Sequence, residues 1–196
     1  ANTVSTPVGI YLEDMRKEVL RQSNKTLHYP VDPTSREEAM VGGTLSCNAS
    51  GFIPGPAGAT RFWTEGLDFL TADGYKISCR RGDYVSENGE FIMEYPDKSV
   101  ILTIPTYPRP EIKNASGPFS DVNGRIDLVD FLVGSEGIFG VITSAIFTLK
   151  KMPDDFLDLF FTLPKELDAV HFHQYISNHF NGDLSQITAL EYFGYN

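Results

Sequence analysis

The chain has 196 residues, enough for one domain and part of a second, and its 41% hydrophobic content supports a packed core rather than disorder. A formal net charge of −10 argues against nucleic acid or an anionic membrane surface as the main partner, and no apolar run approaches the length of a membrane span. Cys47 and Cys79 form neither a C-x-x-C motif nor a disulfide framework, so we expect a reducing, cytoplasmic compartment.

The first predicted element is a helix that begins at Thr6-Pro7, because a threonine cap followed by proline in the first turn is a common helix start. Its apolar face would consist of Leu12, Met15, Val19 and Leu20, and we expect it to serve packing. His28 to Pro33 is predicted to be extended, since each proline disfavours helix in the residue before it.

Residues 34–51 are mostly small and polar and surround a Gly42-Gly43 pair. Such a segment can present backbone amides and short side chains to a ligand without bulky groups in the way. It can equally be a loop and a small-residue helix packed tightly in a core, and the residues alone leave both interpretations open.

Two further stretches have clear local signals. Glu65 to Thr71 and Tyr75 to Cys79 alternate around Ala72-Asp73-Gly74, which predicts a β-hairpin. The proline-rich run that starts at Ile101 predicts a long irregular excursion as far as Ser120, and long irregular loops are often functional.

A short helix is predicted after Asp127, which can serve as its N-cap, with Asp130 near the positive helix end. Its apolar face would be Leu128, Phe131 and Leu132, and Gly134 is placed to end it in a left-handed conformation. Gly134, Gly137 and Gly140 then follow at a spacing of three, which is neither G-x-G-x-x-G nor a P-loop. These glycines either admit a ligand close to the backbone or form a plain tight connection.

Val141 to Leu149 is predicted to be a strand covered on both faces. Strict alternation would place Ile142 and Ile146 on one face, and on the other Val141, Thr143, Ala145, Phe147 and Leu149.

Beyond Pro153 the pattern changes to an apolar strand over Phe156–Leu163, a helix over Lys165–Phe180 and a second strand over Ile187–Phe193. His171 and His173 do not predict a metal site, because side chains two residues apart on a helix point about 200° away from each other. We expect no metal.

The run Gly-Ser-Glu-Gly-Ile-Phe-Gly-Val-Ile-Thr that starts at Gly134 resembles the signature of FAD-linked oxidases of the vanillyl-alcohol oxidase type, and in particular their hydroxy-acid dehydrogenase branch. The runs Tyr-Pro-Val-Asp-Pro-Thr-Ser from Tyr29 and Gly-Gly-Thr-Leu-Ser-Cys-Asn-Ala-Ser-Gly from Gly42 resemble the second flavin-contact region of the same family. The resemblance implies FAD as cofactor. Carried over by position, it implies contacts from Pro33, Thr34, Ser35, Gly42, Gly43, Cys47, Asn48, Ala49, Ser50, Gly51, Glu136, Gly137, Gly140, Val141 and Ile142.

The chain also departs from the family pattern. Met40 stands where a threonine usually precedes the glycine pair, and Phe62 stands where aspartate usually follows the arginine of the Gly58–Arg61 element. The Lys113–Gly117 segment resembles one that borders the active site, but Pro118-Phe119 replaces its tyrosine. Lys113 and Asn114 are therefore only candidate neighbours of the reacting atoms, and the catalytic base is not identified.

The resemblance implies an α+β fold: the second lobe of a PCMH-type FAD-binding domain, with a mixed or antiparallel sheet and flanking helices, over residues 1–152. The start of a ferredoxin-like cap domain for the substrate would follow over residues 153–196. The Arg-Gly-Gly-Gly-Thr-Ser type loop that holds the pyrophosphate in this family does not occur in the chain. We therefore expect a fragment of a longer protein that by itself holds FAD weakly or not at all.

The expected function is part of an FAD-dependent oxidoreductase that takes a hydride from a small alcohol or 2-hydroxy acid. One alternative is a flavin transferase similar to alkyl-glycerone-phosphate synthase. Another is a flavin-less half that acts as a binding or assembly module with a partner subunit or in an oligomer.

Overall fold

The structure is a computed structural model that describes residues 2–104, 117, 120–121 and 123–194. Its strands are β1 (Thr3–Pro7), β2 (Leu27–His28), β3 (Thr64–Thr71), β4 (Lys76–Arg80), β5 (Glu90–Glu94), β6 (Ser99–Thr103), β7 (Gly140–Thr148) and β8 (Lys150–Lys151). Its α-helices are α1 (Leu12–Gln22), α2 (Val41–Ser46), α3 (Thr60–Trp63), α4 (Leu128–Leu132) and α5 (Glu166–His179), and a 3₁₀ turn spans Pro56–Gly58.

The main sheet has four strands in the order β1-β7-β3-β4, and every neighbouring pair is antiparallel. The strand pairs β2–β8 and β5–β6 form separate two-stranded sheets. Helices α1, α2 and α4 contribute to a single core with the sheet, which includes Leu12, Val41, Leu45, Val129 and Phe147. The α+β prediction with an antiparallel sheet is therefore confirmed, and so are the β3–β4 hairpin and the Asp127 cap of α4.

The predicted helix start at Thr6-Pro7 is wrong, because these residues belong to β1, which pairs with β7 through Thr6↔Ala145 and Pro7↔Ser144. Proline is tolerated there because β1 is an edge strand and Pro7 is its last residue. Helix α1 begins only at Leu12, and its predicted apolar face is buried at Leu12, Met15 and Val19.

The predicted alternation of β7 is also wrong in its first half. Asp68 pairs with Ser144 while Phe69 pairs with Ile142, so Thr143 is an extra, bulged residue. The bulge shifts the phase of the strand: Ile142 joins Ala145, Phe147 and Leu149 in the core. Val141 is 62% exposed, so this end of the strand is not covered on both faces.

The C-terminal segment contains α5 as predicted, but residues 153–164 and 181–194 form no strand. The two strands predicted at 156–163 and 187–193 are therefore absent, and no ferredoxin-like unit is assembled in the described chain. No residue of α5 is buried. Large apolar side chains of the segment stay exposed, among them Leu157, Leu159, Phe160 and Tyr175.

Candidate cofactor site

Two stretches that the sequence placed at the cofactor independently lie side by side in the structure. The backbone N–H of Gly134 donates to the carbonyl oxygen of Leu45, and that of Glu136 donates to the carbonyl oxygen of Ser46, each at 2.9 Å. These carbonyls belong to the last turn of α2, where helical oxygens have no partner within the helix. The glycine loop after α4 therefore satisfies the end of α2, which joins the two stretches directly.

The two glycines of α2 have different surroundings. Gly42 donates to Val8 O at 2.9 Å, and a Cβ at Gly42 would lie 3.1 Å from Val8 Cβ, so its lack of a side chain is explained by packing. Gly43 is exposed, and a Cβ there would meet no atom within 4 Å. Gly43 and the exposed Cys47 are four residues apart and share one face of the helix turn. That face leaves backbone open to a ligand.

Asn48, which follows α2, turns inward. It has a positive φ of 50° and is only 1% exposed, and its Oδ1 accepts a hydrogen bond of 2.8 Å from the backbone N–H of Arg61. Asparagine tolerates this left-handed conformation better than most residues. The side chain of Asn48 thus holds α3 against the end of α2 and is turned away from the surface.

Ala49, Ser50 and Gly51 form a narrow connection between α2 and α3. Ala49 O accepts from both the backbone N–H and the hydroxyl of Thr60, at 2.9 and 2.8 Å. Ser50 pairs with Ala59 in an isolated antiparallel β-bridge. A Cβ at Gly51 would lie 2.7 Å from Asp32 N, so only glycine lets this connection reach the segment that ends in Pro33.

The extended segment before Thr34 is held by α1. The Arg16 guanidinium donates to the carbonyl oxygens of Tyr29 and Val31 at 2.8 and 2.7 Å. Tyr29 is fully buried, and that burial raises the pKa of its phenol well above the usual range. Pro33 is buried as well, whereas Thr34 and Ser35 are exposed in the turn that follows. Their hydroxyls are hydrogen-bond donors at the surface, two and three residues after Asp32, which Gly51 contacts.

The glycines of the loop after α4 differ in how much space surrounds their Cα atoms. Glu136, Gly137 and Gly140 have positive φ of 52°, 79° and 146°. A Cβ at Gly137 would lie 3.9 Å from its closest neighbour, Gly140 O, whereas one at Gly140 would lie 2.9 Å from Phe69 Cζ. Gly137 therefore leaves open backbone, and Gly140 is a packing glycine against β3.

Exposed apolar side chains follow this loop. Ile138 is 78% exposed and Val141 is 62% exposed, whereas Ile142 is buried in the core and can reach a ligand only through its backbone. Phe139 stacks on Phe131 at a centroid distance of 4.5 Å, which anchors the loop to α4. Exposed apolar groups beside open backbone suit a flat, largely apolar ligand.

The remaining site candidates divide into two groups. Lys113 and Asn114 lie outside the described residues. Arg61 was not among the predicted site residues, yet it contacts Asn48 and, through Nη2, Val133 O at 2.6 Å. The sequence signal that could have found it is an arginine placed between threonine and two aromatic residues, where a surface charge is not expected.

The described residues contain no group of three or more His, Cys, Asp or Glu side chains that could hold a metal ion. Within the same part of the chain, no helix is both long and apolar enough to cross a membrane.

Comparison with known proteins confirms the resemblance to FAD-linked oxidases. The chain is 26% identical over 174 residues to D-2-hydroxyglutarate dehydrogenase of Stutzerimonas stutzeri (strain A1501), covering 87% of this chain and 28% of the relative. It is 27% identical over 152 residues to glycolate oxidase subunit GlcD of Bacillus subtilis (strain 168), covering 78% of this chain and 24% of the relative. These relatives are oxidoreductases by name, and the chain spans about a quarter of their length.

Among solved structures, the fold is similar to that of alkyldihydroxyacetonephosphate synthase in two crystal forms, each with a TM-score of 0.50 and 19% sequence identity. The match covers 79% of this chain and 20% or 19% of the synthase chain. At this identity the likeness concerns the fold alone. No protein-family model matches the chain.

Proposed function

We propose that residues 1–152 form part of the FAD-binding domain of an oxidoreductase, and that residues 153–196 begin its substrate-side domain. The observation that carries this proposal is the joining of the two stretches through Gly134 and Glu136, with open backbone at Gly43 on one side and Gly137 on the other. A planar isoalloxazine ring needs close approach to backbone and apolar surroundings, and this surface offers both.

The residues present fit the cofactor. Gly43, Cys47 and Gly137 would lie along the ring, and the exposed side chains of Ile138 and Val141 would cover apolar area. Thr34 and Ser35 would donate hydrogen bonds to the polar part of the cofactor. The next residue, Arg36, is held by Asp32 at 3.3 Å and Glu13 at 3.6 Å, so hydroxyls and amides would have to serve the phosphates in this region.

FAD, when bound, supplies the hydride acceptor for oxidation of the substrate carbon. The protein's own task is to orient the cofactor and to exclude water from it. We propose a small 2-hydroxy acid as the substrate, because both named relatives, a D-2-hydroxyglutarate dehydrogenase and a glycolate oxidase subunit, are named for compounds of this class.

A second candidate is a transferase like the synthase with the similar fold. That likeness concerns the fold, and one fold supports several chemistries, so the oxidoreductase proposal is favoured by the sequence relatives. Anaerobic addition of 2-hydroxy acids to the flavin-loaded full-length protein separates the two. Bleaching of the flavin absorbance supports the oxidoreductase. A flavin that stays oxidised supports the transferase, and a protein without flavin supports a binding module.

The cofactor assignment is tested with a matched pair of glycine variants in the full-length protein. Gly137→Ala and Gly74→Ala both place a Cβ at a positive φ, 79° and 90°, and neither Cβ meets an atom closer than 3.9 Å. Both should cost about 1–2 kcal/mol of stability through the left-handed backbone. Only Gly137→Ala should lower FAD occupancy, because Gly74 lies in the β3–β4 turn and belongs to neither of the two cofactor stretches. Equal occupancy in the two variants would contradict the proposed site.

A further inference from the structure

Arg61 is an arginine in the interior of the protein. It lies in α3 and is 5% exposed, and its Nη2 donates a 2.6 Å hydrogen bond to the carbonyl oxygen of Val133. The two residues are 72 positions apart in the chain. Burying a guanidinium is costly unless its donors are satisfied, so this placement has to be supported by the surrounding backbone.

The same residue contacts both stretches of the candidate cofactor site. Its backbone N–H donates to Asn48 Oδ1, and its guanidinium binds Val133, the residue immediately before Gly134. Gly134 in turn donates to Leu45 O in α2. Arg61 thus closes a ring of hydrogen bonds that links α2, Asn48 and the glycine loop, and this ring sets the separation of the two stretches.

Gly117 also lies against the guanidinium. A Cβ at Gly117 would lie 2.6 Å from Arg61 Nη2 and 2.9 Å from Nη1, so the backbone of Gly117 lies directly against the guanidinium. Gly117 ends the Lys113–Gly117 segment that the sequence resemblance places beside the active site. The planar fork of arginine holds its donors at fixed, separated positions, whereas the three donors of lysine share one nitrogen.

The α3 backbone is fixed from the other side by Arg81. Its guanidinium donates to Arg61 O at 2.6 Å and to Thr64 O at 2.7 Å, and it pairs with Asp130 at 3.0 Å. Arg81 touches neither of the cofactor stretches through these bonds. It is therefore the control for the loss of backbone support at α3: an arginine with similar backbone bonds whose guanidinium does not join the two cofactor stretches.

We propose that Arg61 is a positioning residue of the FAD site, whose guanidinium sets the spacing between the α2 stretch, the glycine loop and Gly117. This inference rests on the proposed function. It adds a residue that makes no contact with the cofactor but determines the geometry in which the cofactor is held.

The test compares Arg61→Met, Arg61→Lys and Arg81→Met in the full-length protein, with thermal unfolding, FAD affinity and the absorption spectrum of the bound flavin as readouts. Loss of stability is expected in all three. Only the Arg61 variants should weaken FAD binding at least tenfold and shift the flavin absorption bands, with Arg61→Lys closer to the wild type because its ammonium still offers a donor to Val133 O.

Gly117→Ala keeps the arginine but displaces its guanidinium, and it should shift the flavin bands in the same direction even if Arg61→Met does not fold. Wild-type affinity and spectrum in Arg61→Lys or Gly117→Ala would overturn the positioning role while leaving the proposed function intact. A wild-type protein that binds no FAD would overturn the proposed function itself, and the two failures are therefore distinguishable.

Discussion

A side-chain carbon at Gly140 would overlap the carbonyl oxygen of Leu70 on the adjacent strand β3. Gly140 also has a φ of 146°, which L-residues rarely adopt. The glycine is therefore required by the fold whether or not a cofactor binds. Gly43 is the contrasting case, because nothing lies within 4 Å of the position that its Cβ would take.

These two glycines give the first prediction. Gly140→Ala should prevent folding or cost more than about 3 kcal/mol, since it adds a backbone clash to an unfavourable φ. Gly43→Ala should leave the protein folded and stabilise it by up to about 1 kcal/mol, because alanine is the better helix former. It should nevertheless lower FAD affinity in the full-length protein. Urea unfolding measures the change in stability, and FAD titration measures the change in affinity. Unchanged FAD affinity in Gly43→Ala would contradict the proposed contact between α2 and the cofactor.

The second prediction concerns the two thiols. Cys47 is exposed and Cys79 is buried, so a thiol reagent should modify Cys47 quickly and Cys79 only when the protein unfolds. Saturating FAD should slow the modification of Cys47 in the full-length protein if the cofactor covers α2. Peptide mass mapping identifies the modified residue, and Cys47→Ser is the control for the fast phase. If the rate of modification of Cys47 is the same with and without FAD, the cofactor does not cover this thiol.

The third prediction is a pH dependence caused by Cys79. Burial raises the pKa of its thiol to about 11. The unfolded chain ionises this thiol at a lower pH than the folded chain does, so the free energy of unfolding should fall as the pH rises from about 9 to 11. The fall due to Cys79 should be about 1–2 kcal/mol.

The matched variant for this effect is Cys79→Ala, which should be less stable than the wild type at pH 7 because it leaves a small cavity. The difference between the two proteins should shrink toward pH 11. If the two proteins differ in free energy of unfolding by the same amount at pH 7 and pH 11, the ionisation of Cys79 does not affect stability.

The fourth prediction concerns Asp127. Its Oδ1 accepts from Val129 N at 2.8 Å as the N-cap of α4, and its Oδ2 accepts from Gly82 N at 2.6 Å. Asp127→Ala should cost about 1–3 kcal/mol because it removes both bonds. Asp127→Asn keeps one acceptor oxygen and should cost clearly less. Urea unfolding of the two variants measures this, and equal losses would show that the charge of Asp127 matters more than its hydrogen bonds.

The fifth prediction concerns the C-terminal segment. No residue of α5 is buried, and the core extends no further along the chain than Leu149. Hydrogen bonds from Leu190 N to Phe52 O and from Lys150 Nζ to Ser185 O join the segment to the rest. A chain of residues 1–152 should therefore unfold within about 1 kcal/mol of the 196-residue chain. A larger loss would argue against the proposed boundary at residue 153.

The features that the sequence predicts correctly are those that depend on neighbouring residues. The cap at Asp127, the left-handed Gly134, the β3–β4 hairpin and α5 all follow from local conformational preferences and short-range hydrogen bonds. The resemblance to FAD-linked oxidases has the same origin, because its motifs are runs of consecutive residues. Local patterns of this kind can be read without knowledge of the tertiary partners.

The tertiary structure alone decides which residues meet across the chain. Pro7 belongs to β1 because it pairs with Ser144 of β7, and the bulge at Thr143 is seen only in the pairing of β7 with β3. Gly42 and Gly43 are identical in sequence terms, yet only Gly42 is packed against Val8. Arg61 joins Asn48 to Val133 only after the sheet has brought the two stretches together. Strand register and burial depend on contacts between distant residues, and local preferences do not determine them.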